Sequence, residues 1–302
     1  MAKKSESGLA PEFQYDLTAL LKVDPKLVQY EQTARFDTGL KEPRAIAVAA
    51  DGRVLVGGDA TIRTFDAAGK LVAEFKTAAA PYALAVGKAG AIYAAMKDHV
   101  EVFDAAGTRL AAWAPLGEKA YLTSIVAGES DVFAADAGSA TVLRYDLAGK
   151  LLGRIGEKNE AKHAKGIILP SPYFDVALGA EGMLWVVNPG LRQVECYTYD
   201  GDFRFDWVSK SSPRIEDFCG CCNPTHLAVF ADGSFVTSEK GLPRVKTFNA
   251  EGKFLAVVAP PSAFAEGTTG LDLAVDKAGR VLVLDPFERA VRVFVRKNQE
   301  SK

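Results

Sequence analysis

The stretch PRAIAVAADGRVLVGGDATIRTFDAAG, residues 43–69, holds three short apolar runs separated by turn signals. Ile46-Ala47-Val48 leads to Gly52, Val54 to Val56 leads to Asp59, and the third run closes on Phe65-Asp66 ahead of Gly69. Short β-branched runs bounded by Gly and Asp read as strands joined by tight hairpins, with glycine supplying the positive φ of the turn. Aligned against the rest of the chain, the unit recurs six times. Its first strands are Ile46 to Val48, Leu84 to Val86, Ile125 to Ala127, Val176 to Leu178, Leu227 to Val229 and Leu273 to Val275. Turns are expected at Gly52, Gly90, Gly128, Gly182, Gly233 and Gly279, followed by second strands that begin near Val54, Ile92, Val132, Leu184, Phe235 and Val281.

A second glycine turn occurs only five times, at Gly69, Gly107, Gly149, Gly201 and Gly252, after Phe65-Asp66, Phe103-Asp104, Tyr145-Asp146, Tyr199-Asp200 and Phe248-Asn249. The sixth unit stops after Val291 to Val295 without an outer strand, and Leu27 to Phe36 precedes the first unit without an inner one. The two ends complete each other. This predicts an all-β, six-bladed β-propeller over residues 27–302, its last blade closed by an N-terminal strand, after an extension over residues 1–26.

Composition agrees with one large core. Of 302 residues, 48% are apolar and 25% charged, and 36 Lys and Arg against 38 Asp and Glu leave a net charge of −2. No basic run beyond Arg292 to Lys297 suggests a polyanion partner, so nucleic acid is not expected. No apolar run reaches the roughly 18 residues that span a bilayer.

Loops entering the inner strands and loops between second and third strands open on one face, beside the channel, which makes that face the default site. The second-to-third-strand position reads Asp59, Asp98, Asp136, Asn188, Glu239 and Asp285. Two readings stand: a polar ring contacting a ligand, or strand-end side chains that bond backbone amides and set the turn. The position ahead of each inner strand reads Ala45, Ala83, Ser124, Asp175, His226 and Asp272. Consecutive blades thereby bring Asp175, His226 and Asp272 together, either to hold a divalent cation or orient a histidine for acid/base work, or as solvated groups in a wet channel.

Three of the four cysteines fall in Phe218-Cys219-Gly220-Cys221-Cys222-Asn223-Pro224-Thr225-His226. Cys219 and Cys222 make a C-x-x-C, His226 follows, and Cys196 is a distant fourth sulfur. Such spacing serves soft metals and dithiol redox centres, but also a disulfide staple or inert thiols. Glu239, Lys240, Arg244 and Lys246 are expected as a charged rim beside this loop, favouring thiolate, or as solubility devices on a strand edge.

The pattern Pro-x-x-Ala-Val, Asp-Gly, Asp, then Val-x-x-Phe-Asp-x-x-Gly resembles the NHL-repeat family from about residue 27 onward. That resemblance implies the propeller fold, hosting lyases, ligand binders, scaffolds and RNA readers alike. Several loops are similar to those of a bacterial NHL-repeat group of unassigned activity, in the phrases Asp98-His99-Val100-Glu101-Val102, Ala135-Asp136-Ala137-Gly138, Pro170 to Asp175, Asn188-Pro189-Gly190, Gly220 to Pro224 and Glu239 to Lys246. Members of that group look exported, which implies an extracytoplasmic protein whose signal peptide has been removed. The polar opening Met1 to Ser7 otherwise fits a cytoplasmic protein.

The reading that needs fewest assumptions is a non-enzymatic binding or scaffold protein that docks a protein or small-molecule ligand on this face, with the cysteine loop as its candidate metal or redox site. The alternative is a gluconolactonase-like propeller hydrolase using a divalent cation in the channel, held by carboxylates such as Asp175, Asp272 and Glu239. A zinc enzyme of the amidating-lyase kind is disfavoured because His99, His163 and His226 are the only histidines. No G-x-S-x-G elbow supports a serine hydrolase.

Overall fold

The computed structural model describes residues 21–180, 182–220 and 222–297. Most of the expected N-terminal extension, residues 1–20, lies outside the described residues, as does Cys221. Strand β1 (Tyr30–Asp37) is followed by five blades in sequence. Blade 1 holds β2 (Pro43–Val48), β3 (Val54–Gly58), β4 (Thr61–Phe65) and β5 (Leu71–Lys76). Blade 2 holds β6 (Ala83–Val86), β7 (Ile92–Ala95), β8 (Val100–Phe103) and β9 (Arg109–Ala112). Blade 3 holds β10 (Leu122–Ala127), β11 (Asp131–Asp136), β12 (Thr141–Asp146) and β13 (Leu151–Ile155). Blade 4 holds β14 (Val176–Leu178), β15 (Met183–Asn188), β16 (Gln193–Thr198) and β17 (Phe203–Val208). Blade 5 holds β18 (His226–Val229), β19 (Phe235–Glu239), β20 (Arg244–Phe248) and β21 (Phe254–Ala259).

Blade 6 is assembled from both ends of the chain. Its order is β22 (Asp272–Val275), β23 (Val281–Asp285), β24 (Ala290–Arg296) and then β1, antiparallel from Tyr30 opposite Arg296 to Asp37 opposite Ala290. The closing strand begins at Tyr30 rather than at Leu27, because Pro25–Leu27 form a 3-10 turn. Inner strands of consecutive blades touch around the whole ring, β22 against β2 included. The chain is thus a six-bladed β-propeller.

The core lies between blades. Val54, Val56 and Phe65 of blade 1 pack on Leu282, Leu284 and Val291 of blade 6, and each interface repeats the arrangement. Middle strands are covered on both faces, which explains why β3 and β23 are buried along their length whereas outer strand β5 is mostly exposed.

The hairpin chemistry departs from expectation at two places. Gly52, Gly90, Gly182, Gly233 and Gly279 have positive φ, but Gly128 does not. Its turn is one residue shorter: Gly128 N–H donates to Asp131 O, where Ala49 N–H donates to Arg53 O in blade 1. In the outer hairpins Asp66 Oδ1 accepts from Ala68 N and Lys70 N, and Asp104 and Asp146 do the same. Blade 4 uses Thr198, not Asp200, in that role, since Gly201 N–H donates to Thr198 O and Asp202 N–H to Thr198 Oγ1. The expected Tyr199-Asp200 equivalence is therefore two residues out of register, and Tyr197-Thr198 is the matching pair.

Four of the five outer glycines, all but Gly201, also receive an aromatic neighbour. A Cβ on Gly69 would collide with Phe36, on Gly107 with Phe75, on Gly149 with Trp113 and on Gly252 with Trp207, each ring belonging to the preceding blade. Glycine is required there both for its left-handed backbone and for the close approach of the ring.

Candidate functional site

Propeller inner strands are not paired with one another, so their channel-facing N–H groups need other acceptors. Side chains at the first inner-strand position supply them across blades. Ser124 Oγ accepts from Val176 N at 3.3 Å, Asp175 Oδ2 from Leu227 N at 2.7 Å, and Asp272 Oδ2 from Ile46 N at 2.8 Å. The other oxygens, Asp175 Oδ1 and Asp272 Oδ1, accept from Val176 N and Leu273 N. Two of the four carboxylate oxygens thereby tie neighbouring blades together, and the other two orient each carboxylate on its own strand.

Of the three positions expected at one mouth, Asp175 and Asp272 line one cavity and His226 lines another. Asp175 and Asp272 both line the channel cavity of about 360 Å³, and both feel the charge of His226. Burial pushes the Asp272 carboxyl up to about 6, opposed by His226 and reinforced by the negative charge of Asp175. Burial raises Asp175 as well, opposed by His226, Ser124 and its two backbone donors. Low dielectric penalises the ionised form, and backbone donors only partly offset that. Nδ1 of His226 is sealed from solvent without a hydrogen-bond partner.

Immediately outside, a second cavity of about 360 Å³ forms the mouth. Its walls are Tyr82, Tyr121 and Tyr173, with Arg44 and His226 between them. Tyr82 and Tyr121 meet edge to face at 5.1 Å, and the Arg44 guanidinium lies 4.6 Å from the Tyr82 ring centre. Across the cavity Tyr173 meets His226 edge to face at 6.1 Å. Tyr173 is itself held: its hydroxyl contacts Thr269 Oγ1 at 3.0 Å, and Lys240 Nζ stacks over its ring at 4.7 Å while donating to Ser171 Oγ at 2.9 Å. Sequence reasoning did not select the three tyrosines or Arg44 as site residues. Their signal was position alone, in the loops that enter inner strands.

The second-strand positions mainly fasten loops. Asp59 accepts from Lys41 N and Glu42 N, Asp136 from Tyr121 N and Gly138 N, Asn188 Oδ1 from Ile168 N, and Glu239 from Cys219 N. Each of these four thus holds the segment entering its own inner strand. Asp98 instead pairs with His99 Nδ1, and Asp285 accepts from Glu288 N, its Oδ2 lying 3.7 Å from Arg292. Five of the six positions thus accept from backbone amides, as strand-end side chains do, and Asp98 bonds a side chain instead.

Glu239, Arg244 and Lys246 do not form an exposed rim. They are buried beneath residues 213–219, with Glu239 Oε1 at 2.8 Å from Arg244 Nε and 2.7 Å from Lys246 Nζ. Arg244 Nη2 donates to Asp217 O, and Lys246 Nζ to Ile215 O and Asp217 O. Strand β20 alternates faces, which puts Arg244 and Lys246 on one side, under the insertion. Glu239 is consumed by this cluster, so the carboxylate trio Asp175, Asp272 and Glu239 does not meet in the channel. Burial lowers Lys246 to about 8 against the pull of Glu239.

Cys219 is half-buried and Cys222 buried, with the Asn223 amide donating to Cys219 O and Lys240 O. Cys196 lies mid-strand in β16, packed with Trp185, Trp207 and Phe218, and burial pushes its thiol up to about 11. A thiol so placed is a poor thiolate. Cys196 and Cys219 are free thiols. Among the described residues no group of three or more His, Cys, Asp or Glu has a metal-holding arrangement.

No protein-family model matches the sequence, and no curated protein matches it either. Solved structures do. A streptogramin B lyase superposes with a TM-score of 0.59 at 13% identity, covering 91% of this chain and 100% of that one. Virginiamycin B lyase from Staphylococcus aureus superposes with a TM-score of 0.57 at 12% identity, covering 90% of each chain. At these identities the likeness is one of fold.

Proposed function

We propose that this propeller binds a small, ring-bearing organic molecule in the mouth cavity, between Tyr82, Tyr121 and Tyr173 and above His226. One observation carries the reading: five consecutive blades each send a side chain able to stack or hydrogen-bond into a single concave space. Backbone fasteners hold that space rigid, as a binding site on loops requires. The test is ligand-observed NMR with a mixture of phenol, indole and benzimidazole. Saturation transfer is expected with the native protein and should vanish in a Tyr121→Ala, Tyr173→Ala double variant that melts at the native temperature. Equal transfer in both proteins, or none in either, overturns the reading.

A second reading makes the same site catalytic, and His226 is the reason to hold it. Its ring lines the cavity and its Nδ1 is sealed inside. A histidine so placed is equipped to move a proton to or from a bound molecule. Both solved propellers described above are lyases, which raises the interest of this reading without assigning a reaction. His226→Gln should keep NMR-detected binding while abolishing any slow conversion of the bound probe. Conversion at an undiminished rate removes His226 from the chemistry.

A further inference from the structure

We infer that the ligand of the mouth is an aromatic carboxylate: a single ring held among prolines and tyrosines, with its carboxylate on the Arg44 guanidinium. This rests on the binding reading above and specifies its chemistry.

Charge around the mouth is of one sign. Of the described residues that line it, Arg44 and His226 are able to carry positive charge, and none is Asp or Glu. Lys240 adds a further cation behind the wall, its Nζ 4.7 Å from the centre of the Tyr173 ring, as the Arg44 guanidinium lies 4.6 Å from that of Tyr82. One face each of Tyr82 and Tyr173 is thus already taken by a cation of the protein itself. A cationic ligand would meet like charge there instead of an open ring. The buried carboxylates do not reverse this sign. Asp175 and Asp272 line the channel cavity and not the mouth, each of their four oxygens accepts a backbone N–H, and burial raises both toward the neutral form.

Arg44 is the group fitted to hold an anion. Its stacking on Tyr82 orients the guanidinium, and its pairing with Glu42 engages Nη2 at 2.8 Å. The Glu42 side chain is 70% exposed, so that ion pair is largely solvated and weak. A carboxylate entering the cavity competes for the same fork in a drier setting, where a planar guanidinium gives two parallel hydrogen bonds. Tyr121 stands within electrostatic reach of the same place. Burial raises its phenol, which keeps it protonated as a donor, and the charges of Tyr82, Arg44 and Tyr173 all reach it. One guanidinium balances one carboxylate both in charge and in planar shape. The body of the ligand meets Pro43, Pro172 and Pro286 beside the tyrosines, and a cavity of about 360 Å³, at the lower end of ligand sites, suits one ring.

The test is calorimetric titration of the full chain with benzoate, benzamide, benzamidine and benzenesulfonate. The first three are nearly isosteric and carry negative, zero and positive charge. Benzoate should bind about tenfold tighter than benzamide, the worth of one charge-assisted contact, and benzamidine more weakly than either. Benzenesulfonate carries the charge of benzoate on a tetrahedral head and should bind no tighter than benzoate. Arg44→Ala should bring benzoate down to the affinity of benzamide and leave benzamide unchanged. The Arg44 side chain is 33% exposed, so the substitution leaves the core intact. Benzamide or benzamidine binding as tightly as benzoate overturns the inference, as does tighter binding of benzenesulfonate. Benzoate keeping its affinity in Arg44→Ala, or weakening there only as much as benzamide, overturns it too. Binding of the uncharged NMR probes without benzoate also overturns it while leaving the mouth as a ring-binding site. Failure of both probe sets removes the binding reading itself.

Discussion

Lys246 carries an ammonium group to a place that water does not reach, and Glu239 is what keeps it there. Glu239→Gln leaves both Lys246 and Arg244 without a counter-charge. The loss expected is about 3–5 kcal/mol, read by urea denaturation, with residues 213–219 becoming protease-sensitive first. Lys246 also gives stability a pH dependence of definite sign. Its folded pKa of about 8 lies below the ordinary 10.5, so between those values the unfolded chain binds more protons. Stability contributed at this site therefore rises as pH goes from about 8 to 10.5, by up to about 3 kcal/mol, and Lys246→Met should lack the rise. Asp272 runs the other way. Its folded value of about 6 exceeds the ordinary 3.8, so the stability of its protonated form is complete below about 4 and is lost as pH rises through 6. A ¹³C carboxyl titration of Asp272 with its midpoint below 4.5 would contradict the burial argued for it. From the sequence, Asp175, His226 and Asp272 were legible as one group because their offset from the inner strand is constant. Glu239, Arg244 and Lys246 were legible as neighbours but not as buried, because nothing local reveals that a distant insertion folds over them.

The recurrent element is a hairpin whose glycine is stacked under an aromatic ring of the preceding blade. Gly252 and Gly233 separate the two demands on such a residue. Both have positive φ, 78° and 82°, but a Cβ on Gly252 would lie 2.5 Å from the Trp207 ring whereas one on Gly233 meets nothing within 4 Å. Gly233→Ala should therefore cost only the backbone term, about 1 kcal/mol, and Gly252→Ala about 1–3 kcal/mol more by chemical denaturation. Equal costs would show that the ring moves aside freely. Turn residues made this element readable along the chain, and the slip at Tyr199-Asp200 arose because Thr198 performs the carboxylate's task with a hydroxyl. The mouth residues were unreadable for a geometric reason. Tyr82 precedes its inner-strand position Ala83 by one residue, Tyr173 precedes Asp175 by two and Tyr121 precedes Ser124 by three, so no repeat column contains them. Loops of unequal length converge in space without converging in register.

The whole ring depends on one seam, where β1 lies against β24. Its existence followed from counting strands, since a sixth unit lacking an outer strand and a first strand lacking a blade satisfy each other. Deleting residues 1–37 should strip blade 6 of its outer strand, uncover Phe294 and Val293, and replace one cooperative melting transition with an earlier, broader one. A sharp transition at the native temperature would mean that blade 6 is stable without its partner. The seam also has a history within each molecule. Asp37 is synthesised long before Ala290, and at roughly 5–20 residues per second the interval is on the order of tens of seconds. Throughout that time the first strand made has no partner of its own chain, and all five intervening blades fold beside an open edge. Ribosomes further along the same message hold longer copies of the chain, so an early β1 can meet a β24 that belongs to another copy. Exchange there would preserve every native pairing while joining two rings, the ordinary route to a swapped dimer. Quick capture of β1 by its own β24 is therefore as much a condition for producing monomers as the sequence of the blades themselves.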